Sequence, residues 1–342
     1  MILENAQLTK HKPTLNWIND FNLTIQNVNY TLSNETVELQ TGTSTPNCFL
    51  LGKSKRMVEK VTDIANIFSS PNVFEIGILH GGSVVLYDQI LRPNKIVAIE
   101  YSNHIIQPLT KYINEHNKNH IIKPYFGVSQ ADALAMSKIL DVEFSEKNID
   151  IVFDDGAHLY AETKAAFNTC FPYVKPGGYY CIEDWGWAHW PGDYWQKGGN
   201  EFLADKIPMS NLIIELLILS ASRPDLIESI VIDGFRDSSM AIIKRGTAII
   251  HDEKFNIDRY CLTRGETFIP YKLQAEQKLF NDNLVSALTD GQNTINLLQT
   301  NLSADELKLR ELSERLESFL DSTSWKITKP LRMMRDLINK SI

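Results

Sequence analysis

Two acidic pairs, Asp154-Asp155 and Glu183-Asp184, close two apolar runs within the segment Asn148 to Trp195. Buried strands seldom end in paired carboxylates without a charge partner, because an unpaired buried charge is costly. A divalent metal ion is an economical partner, and hard oxygen ligands suit Mg²⁺. His158 follows the first pair, and an imidazole titrates near neutral pH, as a general base should. Trp185, Trp187, His189, Trp190, Tyr194 and Trp195 follow the second pair. Flat aromatic faces stack on ligands and close lids, so Trp185, Trp187, His189 and Trp190 are read as acceptor-binding. Other readings stay open at this point. Asp155-Gly156 is also a turn former, His158 could cap or pack, the acids could pair with lysines, and the tryptophans could be core.

A second cluster lies upstream. Phe74-Glu75-Ile76-Gly77-Ile78-Leu79-His80-Gly81-Gly82-Ser83 joins a strand to a helix, and glycines there let backbone approach a ligand. Gly77 and Gly81 are four apart, so the spacing is not that of a G-x-G-x-x-G pyrophosphate binder. Glu100 ends the next strand, where an acid bonds ribose hydroxyls; together the two features favour an adenosine ligand. Asp132, after the third strand, fits either an adenine or ribose contact or an N-cap. Gly52-Lys53-Ser54 looks like the end of a P-loop. Position 47 is Asn47, however, and no good strand precedes it, so the match is set aside.

The elements that must position these residues follow from the apolar pattern. From Asn72 onward, strand alternates with helix: strands at 73–76, 95–100, 121–126, 149–153 and 178–182, with helices between. That predicts a doubly wound α/β fold with a mostly parallel sheet. Strands at 227–232 and 239–243, joined by a short link, add an antiparallel pair at the sheet edge and bring the count to seven. Residues 1–55 read as an irregular extension with some strand, 56–245 as the catalytic domain and 246–283 as a connector. In 284–320, Leu288, Ile295, Leu302, Leu309 and Leu316 recur every seventh residue, which predicts a coiled-coil-like helical extension and a homo-oligomer. Residues 321–342 form a basic tail whose Trp325, Leu331, Met334 and Ile338 could make an apolar face for a membrane surface or a glycosyltransferase.

Bulk properties narrow the classes. The net charge of -8 over 342 residues argues against a general nucleic-acid binder. Four cysteines without a Cys-x-x-Cys pair read as free thiols in a reducing compartment. No signal peptide is evident and the apolar run Leu212 to Leu219 is too short to span a bilayer, so a cytoplasmic protein is expected, peripheral at the inner membrane face if the tail docks.

E-I-G-x-x-x-G-G-S, a strand ending in Glu100, F-D-D-G-A-H and P-x-x-K-P-G-G-Y-Y-x-I-E-D together resemble the class I S-adenosylmethionine-dependent methyltransferases. Within these the chain is most similar to the metal-dependent O-methyltransferases of macrolide deoxysugars and the related cephalosporin hydroxylase family. The resemblance spans roughly residues 55–245, with Ala157 where Ser is usual. It implies S-adenosylmethionine and Mg²⁺ as cofactors, and a sugar or glycan hydroxyl as acceptor. Asp155, Glu183 and Asp184 then match the metal carboxylates, and His158 the general base. Glu75, Gly77, Gly81, Ser83 and Glu100 match the cofactor loop, with Asp132 beside it; Asp154 is expected to support the turn or the cofactor. The terminal S-W-K-I-T-K-P-L-R resembles the ends of polysaccharide-assembly enzymes. Alternatives are a phenolic or other small-molecule acceptor, or a non-catalytic assembly subunit.

Overall fold

The structure is a computed structural model that describes residues 14–33, 36–192, 195, 206–234, 239–250, 255–260 and 271–321, with the side chains of 36–37, 271–290 and 319–321 outside that description. The chain divides into two compact units, Met1–Phe268 and Ile269–Ile342.

The first unit opens with β1 (Leu15–Asn19), β2 (Asn22–Ile25), β3 (Val28–Leu32), α1 (Thr36–Thr41) and β4 (Cys48–Leu51). β1, β2 and β3 form an antiparallel meander, and β4 pairs parallel to β3. The described part of the extension expected over 1–55, irregular with some strand, thus holds a four-stranded sheet. Its strands are short, but they alternate with period two: Leu23, Ile25, Val28, Tyr30, Leu32, Phe49 and Leu51 are buried, while Thr24, Asn29 and Thr31 face outward. The buried face packs with α2 (Lys55–Ala65), whose N-cap is Ser54.

The large sheet begins at β5 (Asn72–Ile76). α3 (Gly82–Leu91), β6 (Lys95–Glu100), α4 (Gln107–Glu115), β7 (Ile122–Phe126), α5 (Ala133–Glu143), β8 (Ile149–Asp154), α6 (Tyr160–Cys170) and β9 (Val174–Glu183) follow. α7 (Ser210–Ser222), β10 (Ile227–Gly234) and β11 (Ser239–Arg245) complete it. The order is β10-β11-β9-β8-β5-β6-β7, with β5 to β9 parallel and β11 antiparallel to both neighbours. The expected seven strands and antiparallel pair are present, with β11 between β9 and the edge strand β10.

Both faces of the sheet are covered, so its central strands are mostly apolar. Val73, Ile96, Ala98, Ile151, Phe153 and Cys181 face one core with the N-terminal sheet, α2 and α3. Phe74, Val97, Val152, Tyr180 and Ile182 face the other, with α5, α6 and α7. The chain runs β5-β6-β7 in one direction and returns to β8-β9 in the other. The strand order therefore reverses between β5 and β8, and open α/β sheets place ligands at the carboxyl ends of strands at such a point.

The second unit holds α8 (Tyr271–Asp321), one continuous helix of 51 residues. The connector expected over 246–283 therefore ends earlier, because its last part is helical. Leu298, Leu302, Leu309, Leu312 and Leu316 are exposed on this helix. The basic tail lies outside the described residues.

Candidate active site

The switch point opens into a cavity of about 720 Å³, within the range of small-ligand sites. Its walls include Gly77, Ile78, Leu79, Ser83, Glu100, Gln130, Asp155, Ala157, His158 and Asp184. The glycine turn and the acidic segment, separate in sequence, thus border one space.

Gly77 is required by both conformation and crowding. Its φ is +94°, and a Cβ there would lie 2.2 Å from the Asp155 carbonyl oxygen. The adjacency is built by the sheet: Asp155 N–H donates to the Ile76 carbonyl at 2.9 Å, and Gly77 N–H to the Ile99 carbonyl at 2.9 Å. Glu100 fixes the turn. Its Oε2 accepts from Ile78 and Leu79 N–H at 2.9 Å each, and its Oε1 from Ser102 N–H at 3.0 Å. A carboxylate has about four acceptor sites, so one remains for a ligand hydroxyl.

Other expected cofactor residues sit apart from the cavity wall. Gly81, at φ +81°, starts α3 without lining the cavity. Glu75 is sealed beneath the turn at 0% exposure, with neither oxygen hydrogen-bonded. Burial pushes its pKa up to about 8, although Ser83 and the Lys53 charge favour ionisation. Asp132 does not reach the cavity; it caps α5, accepting from Leu134 and Ala135 N–H at 3.1 and 3.0 Å. The cap reading is the one the structure supports. Gln130 and Ala131 line the wall instead.

Asp154 and Asp155 diverge because successive strand residues point to opposite faces. Asp154 turns inward, taking a hydrogen bond from Tyr180 Oη at 2.7 Å and one from Gln130 Nε2 at 3.5 Å. Burial pushes its pKa up to about 7. Gln130 in turn accepts from Ala157 N–H at 2.6 Å. Asp154 thus steadies the turn that carries His158 and does not line the cavity, which corrects its placement among the cofactor contacts.

Asp155 faces the cavity, and its partner is a residue set aside in the sequence. Lys53, 1% exposed, places Nζ 2.8 Å from Asp155 Oδ2 and 2.5 Å from Glu183 Oε2. Burial works against the Lys53 charge, but Asp155 and Glu183 outweigh it and hold its pKa well above the ordinary value. Glu183 Oε1 accepts from Tyr87 Oη at 3.4 Å, so both its oxygens are engaged. Burial raises the Glu183 pKa and the Lys53 charge opposes the rise.

The group that geometry brings together is Asp155, His158 and Asp184, whose ligand atoms all lie within 4.8 Å of one another. His158 Nε2 is 3.6 Å from Asp155 Oδ1. Burial disfavours charge on His158, but Asp184 and Asp155 outweigh it and raise its pKa. Burial pushes Asp184 up to about 6, and its buried Oδ1 has no partner. An orphaned carboxylate oxygen beside a second carboxylate fits a divalent ion. Asp155 and Asp184 would hold it, with His158 at its edge. Glu183, expected among the ligands, does not belong to this group, because Lys53 and Tyr87 occupy its oxygens.

Backbone strain marks the same residues. His158 (φ +53°), Asp184 (φ +51°) and Leu79 (φ +49°) all line the cavity in the left-handed region. Non-glycine residues hold that conformation only when their surroundings impose it. Asp184 is tied by its N–H to the Ser239 carbonyl at 2.7 Å. His158 is tied by its carbonyl, which accepts from Trp187 Nε1 at 2.8 Å.

That bond gives Trp187 a role different from the expected one. Trp187 is 5% exposed and buttresses the His158 turn from behind. Trp185 packs against the core of the α6 face. Trp190 meets Trp195 edge to face at 4.9 Å, and His189 Nε2 pairs with Ser210 Oγ at 2.8 Å. None of these four residues lines the cavity. Leu159, Glu162 and Lys206 line the cavity instead; Tyr194 lies outside the described residues.

Residues 74–185 match the family described as a methyltransferase domain. That match takes in the glycine turn at Gly77, Glu100 and both acidic pairs. Among curated relatives, mycinamicin VI 2''-O-methyltransferase of Micromonospora griseorubida is 54% identical over 43 residues, 13% of this chain and 11% of that protein. The 8-demethyl-8-alpha-L-rhamnosyl tetracenomycin-C 2'-O-methyltransferase of Streptomyces olivaceus is 41% identical over 61 residues, 18% of this chain and 16% of that protein. The chain thus spans only a minor part of the length of the curated relatives it matches. Among solved structures, a methyltransferase from the mycinamycin biosynthetic pathway in complex with Mg, SAH and mycinamycin VI is 22% identical, with TM-score 0.41, over 57% of this chain and 50% of that one.

Proposed function

We propose that this protein is an S-adenosylmethionine-dependent O-methyltransferase whose acceptor is a saccharide hydroxyl, and that its transfer is assisted by a divalent cation, with Mg²⁺ the expected ion. The observation that carries this reading is one cavity lined both by Gly77 and Glu100 and by Asp155, His158 and Asp184. The relatives named for methylation of a glycoside support the acceptor class.

S-adenosylmethionine supplies, when bound, a methyl group on a sulfonium, and a divalent ion acts as a Lewis acid toward the acceptor oxygen. The chain does the rest. The glycine turn, held by Glu100, lets the donor approach the backbone, and the free acceptor site on Glu100 suits a ribose hydroxyl. Asp155 and Asp184 concentrate negative charge where the cation would sit. His158, fixed by Trp187, faces that space and accepts the acceptor hydroxyl's proton. Asp155 and Asp184 are also the charges that favour the protonated imidazole, so neutralising them frees His158 to act as base.

A place in glycan assembly is part of the same proposal, with α8 pairing in a homo-oligomer and the basic tail contacting a membrane surface or a glycosyltransferase. Among the described residues no helix is long and apolar enough to cross a membrane. The test is methyl transfer from labelled S-adenosylmethionine to a panel of nucleotide sugars, glycosides and catechols, with product mapping. Methylated saccharide is expected. Product from catechols alone would replace the saccharide with a phenolic acceptor, and no donor binding at saturation would refute the enzyme.

A further inference from the structure

Lys53 is built into the centre with unusual care. Its backbone lies between the last residue of β4, Leu51, and the α2 N-cap Ser54, whose Oγ accepts from Met57 N–H at 3.3 Å. Its ammonium, 1% exposed, contacts Asp155 and Glu183 together and lies 6.0 Å from the centroid of the Tyr87 ring. Tyr87 is itself clamped, stacked on Phe153 with ring centroids 4.2 Å apart. Glu183, at 0% exposure, spends Oε2 on Lys53 and Oε1 on Tyr87. Asp155 spends Oδ2 on Lys53 and turns Oδ1 toward His158. Asp184 Oδ1 is buried without a hydrogen-bond partner.

We propose that Lys53 is a resident cation of the catalytic centre. It claims one oxygen of Glu183, whose other oxygen Tyr87 holds, and one oxygen of Asp155, and so confines a divalent ion to Asp155 Oδ1, Asp184 and the edge of His158. Lys53 is then a positioning residue that sets metal affinity through charge, and Glu183 is the counter-charge of Lys53 rather than a metal ligand. This rests on the divalent-ion part of the proposed function. It also explains why the N-terminal sheet packs on the catalytic domain, since β4 leads directly into Lys53.

The test is Mn²⁺ binding without donor or acceptor, read as free Mn²⁺ by electron paramagnetic resonance, for wild type, K53M, E183Q and K53M/E183Q. A buried positive charge a few ångströms from a divalent ion weakens its binding, and a negative charge strengthens it. K53M should therefore bind Mn²⁺ about tenfold more tightly, and E183Q about tenfold more weakly. The double variant removes one charge of each sign and should return to within about threefold of wild type. A Glu183 that ligates the ion predicts otherwise: the double variant stays at least about tenfold weaker, and that result overturns the proposal. If K53M fails to fold, E183Q against the double variant decides alone, because replacing both partners of a buried pair is far milder than removing one. A wild-type protein that binds no Mn²⁺ would overturn both this inference and the divalent-ion reading. A weak double variant beside a wild type that binds would overturn the inference only.

Discussion

Replacing Trp187 by Phe isolates one bond in the turn that carries His158. The indole Nε1 donates to the His158 carbonyl at 2.8 Å, and His158 sits at φ +53°. A non-glycine residue in the left-handed region costs about 1–2 kcal/mol. A single hydrogen bond contributes about 0.5–1.5 kcal/mol net. The two are comparable, so losing the bond is enough to let His158 leave its strained conformation. A shift of about 1.4 kcal/mol is tenfold in population. Trp187→Phe should therefore lower kcat about five- to tenfold. Trp187 does not line the cavity, so donor affinity should stay within about twofold of wild type. Steady-state methyl transfer gives kcat, and calorimetric titration with S-adenosylmethionine gives the affinity. An unchanged kcat beside a lowered Tm would reduce Trp187 to core packing and refute the buttress argument. A tenfold weaker donor affinity would place the indole in the donor site and would refute the argument as well.

Other substitutions probe separate parts of the site. Gly77→Ala puts a Cβ 2.2 Å from the Asp155 carbonyl at φ +94°, so donor binding should fall at least about tenfold, measured by calorimetry; near-normal binding would mean the turn is not the donor cradle. Asp132→Ala removes two cap hydrogen bonds, so stability should fall by about 1 kcal/mol in urea denaturation with donor affinity unchanged. Glu75 and Asp154 have pKa values raised by burial to about 8 and about 7. Each binds its proton more tightly in the folded state, so their stabilisation is full below the unfolded carboxylate range near pH 4 and is lost as pH rises toward about 8. The urea midpoint of the protein without ligands should fall from pH 5 to pH 8, and Glu75→Gln should flatten that decline; a midpoint that rises over this window would contradict the buried-carboxyl account.

The sequence exposed some of this and hid the rest for physical reasons. Apolar runs announced the seven strands, because a sheet buried on both faces leaves Val/Ile/Phe segments such as Ile151-Val152-Phe153. Asp155 and His158 were legible because they share one short turn, and Asp184 because it follows Glu183 at a strand end. Lys53 was hidden because it meets Asp155 and Glu183 across 102 and 130 residues. The one available signal was a lysine between an apolar strand and a helix cap, which looked like a failed P-loop. The N-terminal sheet was obscured by strands of only four or five residues with polar outer faces. Composition suggested an aromatic acceptor loop, but composition does not report direction. Trp185 packs inward, Trp187 braces the His158 turn, and Trp190 turns to Trp195. Asp132 carried two roles in its sequence context, and only the helix geometry chose the cap.

The most direct test of the central claim is methyl transfer to a saccharide acceptor before and after thorough chelation, with Mg²⁺ then restored, for wild type and Asp155→Asn. The account predicts that chelation lowers wild-type transfer by at least about a hundredfold and that Mg²⁺ restores it. It predicts that Asp155→Asn stays inactive throughout while still binding S-adenosylmethionine. Full transfer by the chelated enzyme, or an active Asp155→Asn protein, would contradict the claim that Asp155 and Asp184 hold a cation for the reaction.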